Sequence, residues 1–106
     1  MDYQVNVSTQ AGLDAVEVHE RIAKDTPRTA DRWLQGLFDA IASLTLFPER
    51  CSLAPEATRV TGEIRQLFYG KRRHRYRVLF VIEAHTVRVL RVVHGARRRL
   101  RRDQLG

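Results

Sequence analysis

The sequence holds one cysteine, one methionine and three prolines in 106 residues. The single thiol, Cys51, has no partner for an internal disulfide, and one cysteine is too few for a zinc site built of cysteines. A reducing cytoplasm is the setting this predicts. No apolar run approaches the roughly 18 residues that cross a bilayer, so no membrane span is expected. The start, Met1-Asp2-Tyr3-Gln4, lacks the basic and apolar regions of a signal peptide, which sets the expectation of no secretory leader. Internal repeats are absent, and the only biased segment is a basic stretch at the C-terminal end.

Acidic residues are the scarcest class where they would count most. Residues 1–53 carry five Lys or Arg against eight Asp or Glu, a net of −3. Residues 54–106 carry fourteen Lys or Arg against only Glu56, Glu63, Glu83 and Asp103, a net of +10. Such a field attracts phosphates or an acidic protein. Nearly all of these cations are arginine, which favours planar, bidentate contacts to phosphate or carboxylate. The remaining composition, 43% hydrophobic and 29% charged, is that of an ordinary globular chain. One domain over residues 1–106 is expected, with a two-layer core and residues 95–106 as a basic, solvated tail.

Tyr3-Gln4-Val5-Asn6-Val7 alternates as a short strand. Ser8-Thr9 then offers hydroxyl caps to a helix over roughly Gln10 to Asp25, with Ala11, Ala15, Val18 and Ile22 on one face. Thr26-Pro27 restarts a helix whose apolar stripe runs through Ala30, Trp33, Leu34, Leu37, Phe38, Ile41 and Leu44. The two stripes predict an antiparallel helical hairpin. Glu49 to Thr58 reads as a loop, with Cys51 in it as unreactive packing. Three strands follow, over Glu63–Tyr69, Arg75–Glu83 and Thr86–His94, the first two joined by the basic turn Gly70-Lys71-Arg72-Arg73-His74. The order β-α-α-β-β-β makes an α+β domain, with the helices on one face of an antiparallel sheet.

Strand register decides which arginines meet. With Ala84-His85 as a two-residue turn, Phe80 faces Val89 and Tyr76 faces Val93. Tyr76, Val78, Phe80, Ile82, Val87, Val89 and Val93 then share the helix side, with Arg91 the single misfit. Arg75, Arg77, Arg88 and His94 gather on an open opposite face. Arg65 joins them if Ile64, Gln66 and Phe68 point to the helices. Clustered arginines with one histidine suit a phosphodiester, because 2′-hydroxyl attack needs a base, an acid, and cations on the nonbridging oxygens. Arg65 and Arg77 would stabilise the phosphorane and His94 would move protons. The bland alternatives are a salt bridge for Arg77, for instance to Glu63, and a hydrogen-bonded strand-end role for His94. If Arg77 faces outward, an Arg77→Ala change spares the core.

The segments Tyr3-Gln4-Val5, Ala30 with Leu37, Ile41 and Leu44-(x)3-Pro48, and Glu63-Ile64-Arg65-Gln66-Leu67 carry a resemblance. So do Tyr76-Arg77-Val78-Leu79-Phe80 and Val92-Val93-His94-Gly95-Ala96-Arg97-Arg98. Together they resemble the RelE/ParE superfamily of type II toxin–antitoxin toxins, also called plasmid stabilisation proteins, over nearly the full chain. The resemblance implies a cytoplasmic toxin without metal or cofactor, held inactive by an acidic, amphipathic antitoxin. Operator DNA would be met only through the antitoxin complex. A RelE-like member would cut mRNA on the ribosome, with Arg65, Arg77 and one of Arg97 or Arg98 matching its basic positions. The candidate catalytic set here is Arg65, Arg77, His94 and Arg98, with Lys71, Arg73, Arg75, Arg88 and Arg97 as candidate phosphate binders. Its terminal tyrosine has no counterpart here, since no tyrosine follows Tyr76, and His94 would have to substitute. A ParE-like member would instead poison DNA gyrase. Charge alone also allows a non-catalytic RNA- or ribosome-binding module. The mRNA endonuclease is the first expectation.

Overall fold

The computed structural model describes residues 2–97 and 99–105. Strand β1 (Gln4–Val7) leads into helices α1 (Thr9–Ala23) and α2 (Pro27–Ala42), then strands β2 (Arg65–Tyr69), β3 (Tyr76–Glu83) and β4 (Thr86–His94). The strands form one sheet in the order β1-β4-β3-β2. The three C-terminal strands pair antiparallel, whereas β1 lies parallel to β4, as the intervening helical crossover permits. Among the described residues no helix is long and apolar enough to cross a membrane.

Both helices start where the sequence marks them. Ser8 caps α1, its hydroxyl accepting from the Ala11 N–H at 3.0 Å. Pro27 occupies the first turn of α2, although the Thr26 side chain makes no capping bond. Ala11, Ala15 and Val18 meet Leu37, Ile41 and Leu44 and pack on Val78, Phe80, Val87 and Val89 in the main core. Phe38 departs from the predicted stripe and is 48% exposed. Within α2, Gly36 lets Tyr69 of β2 approach, because a Cβ there would collide with the tyrosine oxygen. That hydroxyl instead donates to the Trp33 carbonyl at 2.8 Å.

The β3–β4 hairpin turns through Ala84 and His85 as expected, with Ala84 at φ 54° and Phe80 opposite Val89. Beyond that pair the register shifts: Leu79 faces Arg91, Val78 faces Val92 and Tyr76 faces His94. Leu90 is therefore the extra residue of a β-bulge, and each later β4 side chain changes face. Val92 enters the main core, Val93 leaves it, and Arg91 is no longer a misfit. The N-cap of α1 and a residue inside that helix hold the bulge. The Ser8 hydroxyl donates to the Leu90 carbonyl at 2.9 Å, and Asp14 accepts from the Val92 N–H at 2.9 Å. Asp14 also takes a bidentate contact from Arg91, at 2.8 and 3.0 Å.

The far face of the sheet is covered, which corrects the expectation of an open cationic surface; the C-terminal segment packs through its leucines while Arg97, Arg99, Arg101 and Arg102 are exposed. Leu100 and Leu105 of the C-terminal segment join Ala54, Ile64, Leu79 and Val93 in a second apolar cluster. Arg91 adds a bond to the Gln104 carbonyl, tying that segment to the β4 edge. Strand β3 is consequently buried on both faces from Tyr76 to Phe80.

Asp14→Ala leaves Arg91 without its carboxylate and Val92 without an acceptor. Orphaning one member of a buried pair costs about 3–5 kcal/mol, so the urea midpoint should fall sharply and the Val92 amide should lose hydrogen-exchange protection. Asp14→Asn keeps one acceptor and should lose less. An unchanged midpoint and a protected Val92 in Asp14→Ala would show that the bulge stands without this carboxylate.

Candidate functional site

Arg77 is the second residue of β3, on the face opposite the helices as predicted, yet only 5% of it is exposed. Its terminal nitrogens donate to both oxygens of Glu56 at 2.9 Å, and one also reaches the Gln66 side-chain oxygen at 3.2 Å. Glu56 is itself 2% exposed and accepts the Leu100 N–H at 2.9 Å. The ion pair is thus the polar centre of the second core, under the C-terminal segment. Burial alone would push the Glu56 carboxyl upward. Hydrogen bonds from Arg77, from the Leu100 N–H and from its own backbone, with the Arg77 charge, hold it below the ordinary 4.5. The expectation that removing Arg77 spares the core is overturned, and its bland alternative holds with Glu56 in place of Glu63.

Arg65 is on the helix side, because Ile64 and Gln66 point into the second face. Its guanidinium donates to the Cys51 carbonyl at 2.7 Å and approaches Glu63 at 3.3 Å, pinning the loop before β2. Cys51 is buried, and that burial pushes its thiol upward, consistent with unreactive packing.

His94 also sits on the helix side, carried there by the bulge, with its ring edge-on to Tyr76 at 5.2 Å. The Ala96 N–H donates to Nδ1 at 3.1 Å, which makes Nδ1 the acceptor and Nε2–H the donor to the Arg73 carbonyl at 2.6 Å. Both ring nitrogens are occupied, so the imidazole clips two loops together. Arg65, Arg77 and His94 therefore do not converge on one surface, and Arg98 lies outside the described residues.

The predicted phosphate binders divide differently. Arg88 projects from β4 at the hairpin end and pairs with Glu83 at 2.8 Å. Lys71, Arg73 and Arg75 are exposed on the β2–β3 loop, and Arg97 is exposed on the turn after β4. The structure brings these four together, because His94 joins Arg73 to Ala96 and the Gly95 N–H donates to the Arg75 carbonyl at 2.7 Å. Gly95 is required there, since a Cβ would lie 2.7 Å from that carbonyl oxygen. At the opposite end of the sheet a groove of about 650 Å³ is lined by Val60, Ile64, Val81 and Leu105, with Glu63, Glu83 and Arg88 around it. No group of three potential metal ligands occurs among the described residues.

Residues 5–99 match the family described as ParE toxin of type II toxin-antitoxin system, parDE. The chain belongs to the ParE toxin family. Among solved structures it is similar to one titled as the chromosomal ParDE TA system from P. aeruginosa, with a TM-score of 0.69 and 16% identity. That match covers 87% of this chain and 95% of the other, and it shows a shared fold. Among curated proteins no significant match was found.

Sequence reasoning missed Glu56, Asp14 and the leucines of the tail as builders of this ParE fold. The available signals were an acid flanked by small residues in Ala54-Pro55-Glu56-Ala57, and Leu100 and Leu105 five residues apart in an otherwise polar stretch.

Arg77→Ala leaves a buried carboxylate alone and should destabilise the protein by about 3–5 kcal/mol, whereas the double change Arg77→Met/Glu56→Leu should recover most of the loss. Because the folded Glu56 carboxyl is held low, its contribution is complete above the unfolded value and is lost as pH falls below about 4.5 toward the folded one. Denaturant midpoints measured from pH 7 to pH 3 should drop steeply, and Glu56→Gln should flatten that drop. A double variant no more stable than Arg77→Ala would contradict the assignment of the loss to an orphaned charge.

Proposed function

We propose that this chain, the toxin component of a type II system, acts by binding DNA gyrase and trapping it on cleaved DNA, and that it does not cut mRNA. The observation that carries this reading is the occupancy of the two residues an RNA-cleaving site would need. Arg77 has both terminal nitrogens on Glu56 and Gln66, and His94 has both ring nitrogens on backbone groups. Transition-state catalysis requires donors aimed at developing charge and a free proton carrier, and these two are neither free nor on the same face. Membership of the ParE branch supports the same choice.

The partner in this reading is a cognate antitoxin with an acidic, amphipathic segment, acting in the cytoplasm and carrying the complex to operator DNA. Apolar side chains on the helical hairpin, Leu13 at 57% and Val16 at 50% exposed, with Phe38 on α2, give such a segment something to cover. The basic half of the chain supplies the complementary charge.

Purified chain added to gyrase and plasmid should block supercoiling and accumulate linear DNA on detergent treatment, and induction in cells should stop DNA synthesis before protein synthesis. Added to translating ribosomes it should leave mRNA whole. Transcripts cut within codons, with supercoiling unaffected, would overturn the proposal in favour of the endonuclease reading.

A further inference from the structure

The cations of the basic half are sorted by position. Those rising from strands have internal acceptors: Arg65 with Glu63, Arg77 with Glu56, Arg88 with Glu83 and Arg91 with Asp14. Lys71, Arg72, Arg73, Arg75 and Arg97 are exposed and make no ion pair among the described residues. They occupy two loops at one end of the sheet, clipped together by His94. Two of them show signs of being held for use. Arg72 sits at φ 53°, a left-handed conformation that glycine or asparagine adopts far more readily. The Arg75 guanidinium carbon lies 4.0 Å from the centroid of the Phe68 ring, a cation–π contact that holds the cation in place on the loop.

We propose that this loop pair is a docking site for the phosphate backbone of duplex DNA, used when the toxin engages gyrase on its DNA. The choice of DNA rests on the gyrase reading, but the site itself rests on the loops. Five cations at one end of a small domain match the dense phosphate array of a duplex better than a single strand, whose charges are spaced twice as far apart along the axis. Arginine forks add hydrogen-bond geometry to the attraction. The loops carry no base-reading constellation, so contact is to the backbone and independent of sequence.

The test uses the full chain and a fluorescent 20-base-pair duplex, without gyrase, in an anisotropy titration at several salt concentrations. Wild-type affinity should fall steeply with salt, and single-stranded DNA of the same length should bind more weakly. Arg72→Gly relieves the backbone conformation, and Arg73→Gln keeps the carbonyl that His94 uses, so the double variant should keep the wild-type thermal midpoint. Its log–log salt slope should be shallower by about 1.8, at 0.9 per lost phosphate contact, with affinity down about tenfold or more near 0.1 M salt. Arg59→Gln/Arg102→Gln removes the same charge from the opposite end and should change affinity less than twofold. Equal losses in both double variants would mean that overall charge, with no site, binds DNA. Unchanged DNA binding with weakened antitoxin binding in Arg72→Gly/Arg73→Gln would assign the loops to the acidic partner and overturn the proposal. Because gyrase is absent, failure here leaves the supercoiling result standing, and a gyrase failure leaves this binding measurable.

Discussion

One inserted residue governs the arrangement of this protein. Leu90 bulges from β4, and everything after it changes face. Had β4 stayed regular, Val93 would lie under the helices and His94 beside Arg77. With the bulge, Val92 fills the main core, Val93 seeds a second one, and His94 turns toward Tyr76. A bulge leaves backbone groups without ladder partners, and buried groups of that kind must be satisfied. Ser8 and Asp14 do so from α1, the one as its cap and the other as a buried aspartate further along the helix.

The second core follows from that change of face. Val93 and Leu79 present an apolar strip that water would otherwise cover, and Leu100 and Leu105 return to bury it. Arg77 projects into the same space. A lone guanidinium there would be prohibitive, so Glu56 folds over it and accepts the Leu100 N–H as well. The pair is a weak source of net stability compared with an apolar filling, but it admits one arrangement of loop and tail and excludes others. The same residue that would have been a free phosphate donor is thereby made structural.

How much of this could be read in the sequence depends on whether the information was local. The helical hairpin was legible because Ser8, Pro27 and the apolar stripes mark start, restart and facing side within a few residues. The Ala84-His85 turn and the Phe80–Val89 pair followed from strict alternation in Arg75–Glu83. The bulge was visible only as an anomaly: Val87 and Val89 are two apart, Val92 is three further on, and Arg91 falls on the wrong face. A spacing of two then three is the trace of one extra residue, but alternation alone offers no way to say where the phase is lost. Arg65 was misplaced for a similar reason, since an edge strand with both Ile64 and Leu67 apolar has no period that singles out one face. Glu56 was illegible because its partner is 21 residues away and its role appears only when the tail is seen to pack.

Charge gives the last step. A net of +10 over the second half describes a total, and the fold divides that total among paired strand arginines, two clipped loops, and Arg59, Arg99, Arg101 and Arg102 exposed elsewhere. Arginines on strands face carboxylates at hydrogen-bond distance, so their fields are largely cancelled within a few ångströms. Cations on the two clipped loops have no carboxylate partner among the described residues, and backbone bonds join the loops that carry them. The loop pair thus gathers five exposed cations on two joined segments, a denser cluster than the separate arginines at the other end present. The His94 clip joins the two loops: it links the Arg73 carbonyl to the Ala96 amide, so the segment Lys71–Arg75 and the turn bearing Arg97 are held to one histidine. The histidine that the sequence offered as a proton carrier is in the fold a connector, and what it fixes is the position of the charge.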